Sequence, residues 1–163
     1  MRLIKVFSVL IGILVMLMSG CGGGGGGVGN TSTSKSATLV FSSQSNTPTD
    51  QIGGFNLTVT LPVGVSIKTD ASGTPLSSAV FLSGKFAGST FSSLSVVSYD
   101  ATQRILSINY PSTTSYLLGE FLTIICDVPI SYTPNINDVS YTVSFFAPIT
   151  GALLSATAIA TFN

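Results

Sequence analysis

Chemistry in this 163-residue chain has few side chains to draw on. There are two cysteines, six carboxylates, five tyrosines and a large supply of hydroxyls, with histidine and tryptophan absent. A serine nucleophile needs a base beside it, and neither a histidine nor a Gly-x-Ser-x-Gly elbow is present. The carboxylates Asp50, Asp70, Asp100, Glu120, Asp127 and Asp138 are scattered singly, most of them at expected turns or strand ends. Glycoside hydrolysis needs two carboxyl groups about 5–9.5 Å apart across a sugar, and only convergence in the fold would pair any of these. No cysteine–histidine cluster offers a zinc site. Asp70-Ala71-Ser72-Gly73 lacks the repeated acidic ligands and closing Glu of a calcium loop. The expectation is a protein that is not an enzyme and holds no metal or cofactor.

The surroundings of Cys21 are more informative. Arg2 and Lys5 begin the chain, Val6 to Met18 is nearly all apolar, and Ser19-Gly20 then precede Cys21. Crossing roughly 30 Å of hydrocarbon takes about 20 apolar residues, more than this run supplies. A secretory h-region of ~7–15 residues followed by small residues fits better. The stretch Leu17-Met18-Ser19-Gly20-Cys21 resembles the lipobox of bacterial lipoproteins, with Met18 in place of the usual leucine. The resemblance implies cleavage before Cys21, so that residues 1–20 are a signal peptide and the only attached group is covalent lipid on Cys21. It also implies a domain held at a membrane, since two or more acyl chains give durable attachment. Gly22 stands where an aspartate would retain a Gram-negative lipoprotein at the inner membrane, so the resemblance points to the outer membrane. With Cys21 acylated, Cys126 has no disulfide partner. Its period-2 phase with Leu122, Ile124 and Val128 reads as a small buried hydrophobe.

Composition narrows the partners. Charged residues are only 7% of the chain, against about 25% in an ordinary soluble domain. Removal of Arg2 and Lys5 leaves four basic residues against six acidic ones, a net charge of −2. Such a balance excludes phosphate-backbone binding, and nucleic acid is not an expected partner. Residues 21–36 read as the lipidated cysteine plus a disordered Gly/Ser/Thr linker, too poor in apolar residues to fold. As a flexible coil of ~15 residues it reaches ~20 Å. No strand precedes its glycines and no Lys-Ser/Thr follows them, so they are not a phosphate loop. Among the tyrosines, Tyr110 and Tyr141 fall in phase with core positions. Tyr116 and Tyr132 lie in Ser/Thr/Pro-rich segments and are the candidate exposed rings for stacking on a sugar.

The elements that must position these residues are strands. Phe55, Leu57, Val59 and Leu61 alternate with Asn56, Thr58 and Thr60, and Val139 to Phe145 does the same with Ser140, Thr142 and Ser144. That is the pattern of a sheet with one buried face. Further strands are expected over Ala37–Ser43, Val63–Lys68, Ser78–Leu82, Leu94–Tyr99, Arg104–Tyr110, Phe121–Ile130 and Leu153–Phe162. Gly84–Thr90 reads as a loop. Asp70-Ala71-Ser72-Gly73 and Asp100-Ala101-Thr102-Gln103 read as turns, the second of a hairpin. No helical period occurs after Met18. About nine short strands predict an all-β antiparallel sandwich over residues 37–163.

Three segments resemble cohesin-type domains. They are Ile52-Gly53-Gly54-Phe55-Asn56-Leu57-Thr58-Val59-Thr60-Leu61-Pro62; the Ser98–Ile108 hairpin with Leu118-Gly119-Glu120-Phe121-Leu122-Thr123-Ile124; and Ile149-Thr150-Gly151-Ala152-Leu153-Leu154. The resemblance implies a nine-stranded jelly roll, a fold shared with carbohydrate-binding modules. Cohesins dock dockerins through one sheet face, so a dockerin-like protein is the implied partner and a polysaccharide the alternative. The expected protein is a non-catalytic envelope lipoprotein that presents a binding module.

Overall fold

The computed structural model describes residues 33–47 and 50–163. Cys21, the expected signal peptide and most of the expected linker lie outside the described residues.

Ten strands are formed among the described residues, all paired antiparallel. They are β1 (Ser34–Gln44), β2 (Gln51–Thr60), β3 (Ser66–Ile67), β4 (Val80–Leu82), β5 (Val96–Asp100), β6 (Ile105–Leu117), β7 (Glu120–Pro129), β8 (Ser140–Phe146), β9 (Leu153–Leu154) and β10 (Thr157–Phe162). The first sheet runs β10-β1-β7, with β3 and β4 both on the far side of β7. The second runs β5-β6-β2-β8-β9. The sheets share one core, a sandwich-like all-β arrangement. Rings from the two sheets meet across it: Phe41 of β1 stands edge-on to Tyr141 of β8 at 5.2 Å, and Phe121 of β7 touches Phe55 of β2 at 4.9 Å and Phe145 of β8 at 5.3 Å. Edge-to-face contacts of this kind add to plain area burial.

The alternation read from the sequence is what builds the second sheet. Phe55, Leu57 and Val59 are buried while Asn56 and Thr58 are exposed on the opposite face. The expected turns also form. Asp100 Oδ1 accepts from the backbone N–H of Thr102 and Gln103 and so closes the β5–β6 hairpin. Asp70 Oδ1 accepts from the N–H groups of Ser72 and Thr74 and from the Ser72 hydroxyl. These hydrogen bonds to an ionised acceptor pull the Asp70 carboxyl below its ordinary value.

β4 and β5 begin two residues later than expected, at Val80 and Val96, which leaves Leu94 in a turn. Four larger departures each have a structural reason. β1 begins at Ser34 rather than Ala37, because Ser34, Lys35 and Ser36 continue the ladder against Pro129, Val128 and Asp127. Those three residues therefore belong to the folded unit, although their composition matches the linker. The single strand expected over Leu153–Phe162 is two: β9 pairs with β8, whereas β10 pairs with β1 in the other sheet. The expected extension over Val63–Lys68 shrinks to two strand residues, because Val65 N–H turns back onto the Pro62 carbonyl. β6 runs on to Leu117, seven residues past the expected end at Tyr110. Its far end is held by pairing of Leu117 with Gln51 and of Tyr116 with Ile52.

Candidate functional site

The irregularity in β2 and β6 creates the most distinctive surface among the described residues. Between Ile52 and Gly54 the register jumps: Ile52 faces Tyr116, whereas Gly54 faces Pro111. The intervening Ser112–Ser115 stretch is thrown out of the ladder. Pro111 also lies beyond Asn109, the last β6 residue to meet β5, through Val96. The sheet thus thins at this end, and a cavity of about 580 Å³ opens there, within the usual range for ligand clefts.

Two turns flank it. Ser92–Ser95 closes with a Ser95 N–H to Ser92 C=O bond, and the Ser92 hydroxyl accepts from Leu94 N–H. On the other side the Thr150 N–H reaches back two residues to the Pro148 carbonyl around Ile149, whose φ is +70°. That is a γ-turn of the rare, strained hand. Positive φ in a β-branched residue is a genuine outlier. Each turn carries a large aliphatic side chain into solvent, Leu94 at 75% exposure and Ile149 at 90%. Both line the cavity, and no charged residue does. On its floor Asn109 and Asn56 are cross-strand partners, with Asn109 Nδ2 donating to Asn56 Oδ1 at 2.6 Å. The Asn56 amide nitrogen and the Asn109 amide oxygen are left facing solvent.

Glycine makes the close approach of these walls possible. A Cβ on Gly53 would sit 2.3 Å from Pro148 Cα, and one on Gly54 would sit 2.5 Å from the Tyr110 carbonyl oxygen. Any side chain there would drive apart the β8–β9 turn and the Tyr110–Ser112 backbone. The Gly53-Gly54 pair inside a strand pattern is a sequence signal that could have pointed at this place, but in the sequence it reads only as part of the cohesin-like segment. Leu94, Asn56, Asn109 and Ile149 carried no signal as a group, being brought together only by register.

The tyrosines proposed from sequence sit elsewhere, and they are not brought together. Tyr116 is half-buried and stacks on Phe86 at 3.9 Å with a 15° tilt. Its hydroxyl bonds to Ser89 Oγ at 2.8 Å and to the Tyr110 hydroxyl at 3.0 Å. Burial pushes both phenols up; in Tyr110 it prevails, while in Tyr116 the hydrogen bonds from Ser89 and Tyr110 outweigh it and bring the phenol down. Tyr132 packs near Phe162 at 6.2 Å and points its hydroxyl at Asp138. Burial and the Asp138 charge raise its phenol. Each ring thus rests on one side against an aromatic residue and is partly exposed. Cys126 is fully buried between its ladder partners Ala37 and Ile67. Burial, with a smaller contribution from the Asp127 charge, raises its thiol to about 12.

The carboxylates remain dispersed. Asp127 lies 3.6 Å from Lys68, and Asp50 accepts from the Ser45 hydroxyl. Among the described residues no three acidic or cysteine side chains come together as a metal cluster would. A second cavity of about 510 Å³ lies beside the end of β1, lined by Ser43, Gln44, Ser45, Asn46, Ser155 and Thr157 with Leu118 and Gly119. On comparison, no family, no curated protein and no solved structure matches this chain.

Proposed function

We propose that this chain is a bacterial envelope lipoprotein, anchored through lipid on Cys21 at the outer membrane, whose cohesin-like jelly roll is a non-catalytic protein-docking module. The docking surface is the uncharged groove between the Ser92–Ser95 and Pro148–Thr150 turns. The observation that carries this reading is the pair of aliphatic side chains at its rims. Turn tips ordinarily bear Gly, Asn, Asp or Ser, and here Leu94 and Ile149 stand in solvent where nothing in the fold needs them. Clustered exposed apolar side chains rimmed by polar residues mark interaction surfaces. The lipobox-like leader supports the anchor, and the linker after it would hold the groove clear of the head groups.

A polysaccharide is the second reading, and the hydroxyl- and amide-lined second cavity favours it. The two separate in one experiment. Full-length protein is passed over neutral polysaccharide gels and, in parallel, used to capture proteins from envelope extract. Docking predicts no retardation on the gels and capture of a defined protein that is lost in the Leu94→Ser/Ile149→Asn variant. Retardation on a gel together with capture indifferent to that variant would replace docking by sugar binding.

A further inference from the structure

Resting on that docking reading, we infer that the groove takes an extended, uncharged segment of its protein partner, with aliphatic side chains between the rims and its main chain read by the Asn56–Asn109 amide pair. Three features converge on this occupant. The first is charge. With no charged residue in the lining, a charged segment would lose water without gaining a partner, and that cost selects a neutral one. The second is hydrogen bonding. The bond from Asn109 Nδ2 to Asn56 Oδ1 uses one donor and one acceptor. The Asn56 amide N–H groups and the Asn109 side-chain carbonyl, on two exposed residues directly opposite in the ladder, are left over by that bond. They are a donor and an acceptor of the kind that the C=O and N–H of an extended peptide can use. The third is the character of the walls. Leu94 and Ile149 are aliphatic, and of the two aromatic side chains in the lining Tyr110 is buried at 4% exposure and Phe146 is partly buried. Stacking on a sugar needs an open ring face, whereas aliphatic walls suit a Leu, Ile or Val side chain. Strands read in this way place alternate side chains in pockets and leave the main chain to give affinity.

The experiment is selection of a displayed library of random 12-residue peptides on the full chain in detergent, with excess Leu94→Ser/Ile149→Asn protein as the subtracting competitor. Enriched peptides are then synthesised with blocked ends and titrated by fluorescence anisotropy. The expected result is enrichment of uncharged sequences with aliphatic residues at alternate positions. Their binding should weaken at least tenfold in Leu94→Ser/Ile149→Asn and in Asn56→Ala, and by less than twofold in Thr142→Ala on the same face. None of these substitutions demands a new backbone conformation, since Asn tolerates the positive φ of position 149, and a thermal melt checks that each variant is folded. No enrichment, enrichment of charged peptides, or binding indifferent to Leu94, Ile149 and Asn56 would overturn the inference. Groove-dependent capture of an envelope protein without any selected peptide would leave docking standing and sink only the extended-segment claim. Groove-dependent peptide binding alongside capture that ignores the groove would do the reverse.

Discussion

The Cys126 thiol and the Ile149 backbone are the two residues at which local chemistry is most perturbed, and each gives a measurable consequence. With its thiol raised from near 9 to about 12, Cys126 stays protonated when folded, and a thiol–disulfide exchange reagent at pH 8 should label it only after denaturant is added. Because the folded-state value lies above the unfolded one, the associated stability is complete below about pH 9 and is lost as pH climbs toward 12. The melting temperature should fall across that window, and Cys126→Ala should lessen the fall; an equal fall in both proteins would refute the assignment. Ile149 tells a different story. Holding a β-branched residue at φ +70° costs about 1–3 kcal/mol, and at 90% exposure almost no burial offsets it. Ile149→Asn, which tolerates that backbone region, should therefore raise unfolding stability by about 1 kcal/mol in a denaturant titration. A loss of stability would mean that the side chain is structural. The expected combination, a more stable protein that docks less well, is the mark of strain kept for function.

At the scale of elements, the β2 kink governs the groove. Gly53→Ala and Gly54→Ala press a methyl group into backbone at 2.3 and 2.5 Å, and overpacking of this kind costs about 1–3 kcal/mol. Each should lower the chemical-denaturation midpoint well below that of Thr58→Ala on the exposed face of the same strand; equal midpoints would show that the walls move freely. Much of the scaffold is legible in the sequence. β2 and β8 announced themselves by strict alternation, and the Asp70 and Asp100 turns by side chains that close their own backbone. What could not be read were the outcomes of pairing between distant segments. Ser34–Ser36 look like linker and become strand only because β7 supplies partners. The Pro111–Ser115 stretch looks like a loop and is carried within β6 because Gln51 and Ile52 capture Leu117 and Tyr116 beyond it. Tyr116 and Tyr132 were candidates by their polar neighbourhoods, yet their rings lean on Phe86 and Phe162. Tyr116→Ala should accordingly cost about 2 kcal/mol of stability and leave envelope-protein capture unchanged. Leu94 and Ile149 are 55 positions apart in sequence, so no local pattern could join them.

Among the described residues charges are few, and aliphatic and aromatic side chains share the core, a makeup that suits presentation. Across the outer face of the second sheet the rows read Ser98–Ser107–Thr58–Thr142 and Val96–Asn109–Asn56–Ser144, without a charge in either. Such a face gives no long-range steering, so association should depend weakly on ionic strength. At this scale the anchor is tested first: Cys21→Ser should abolish fatty-acid labelling and shift the protein from the membrane fraction to the soluble one, and label that persists would remove the lipoprotein reading. The central claim is that the groove is where a partner binds. Its most direct measurement is site-specific photo-crosslinking on intact cells, with the reactive residue placed at Leu94 in one protein and at Ile159, exposed on the other sheet, in a second. The prediction is one discrete adduct from position 94, abolished by Ile149→Asn, and none from position 159. Equal adducts from both positions, or an adduct from position 159 alone, would contradict it.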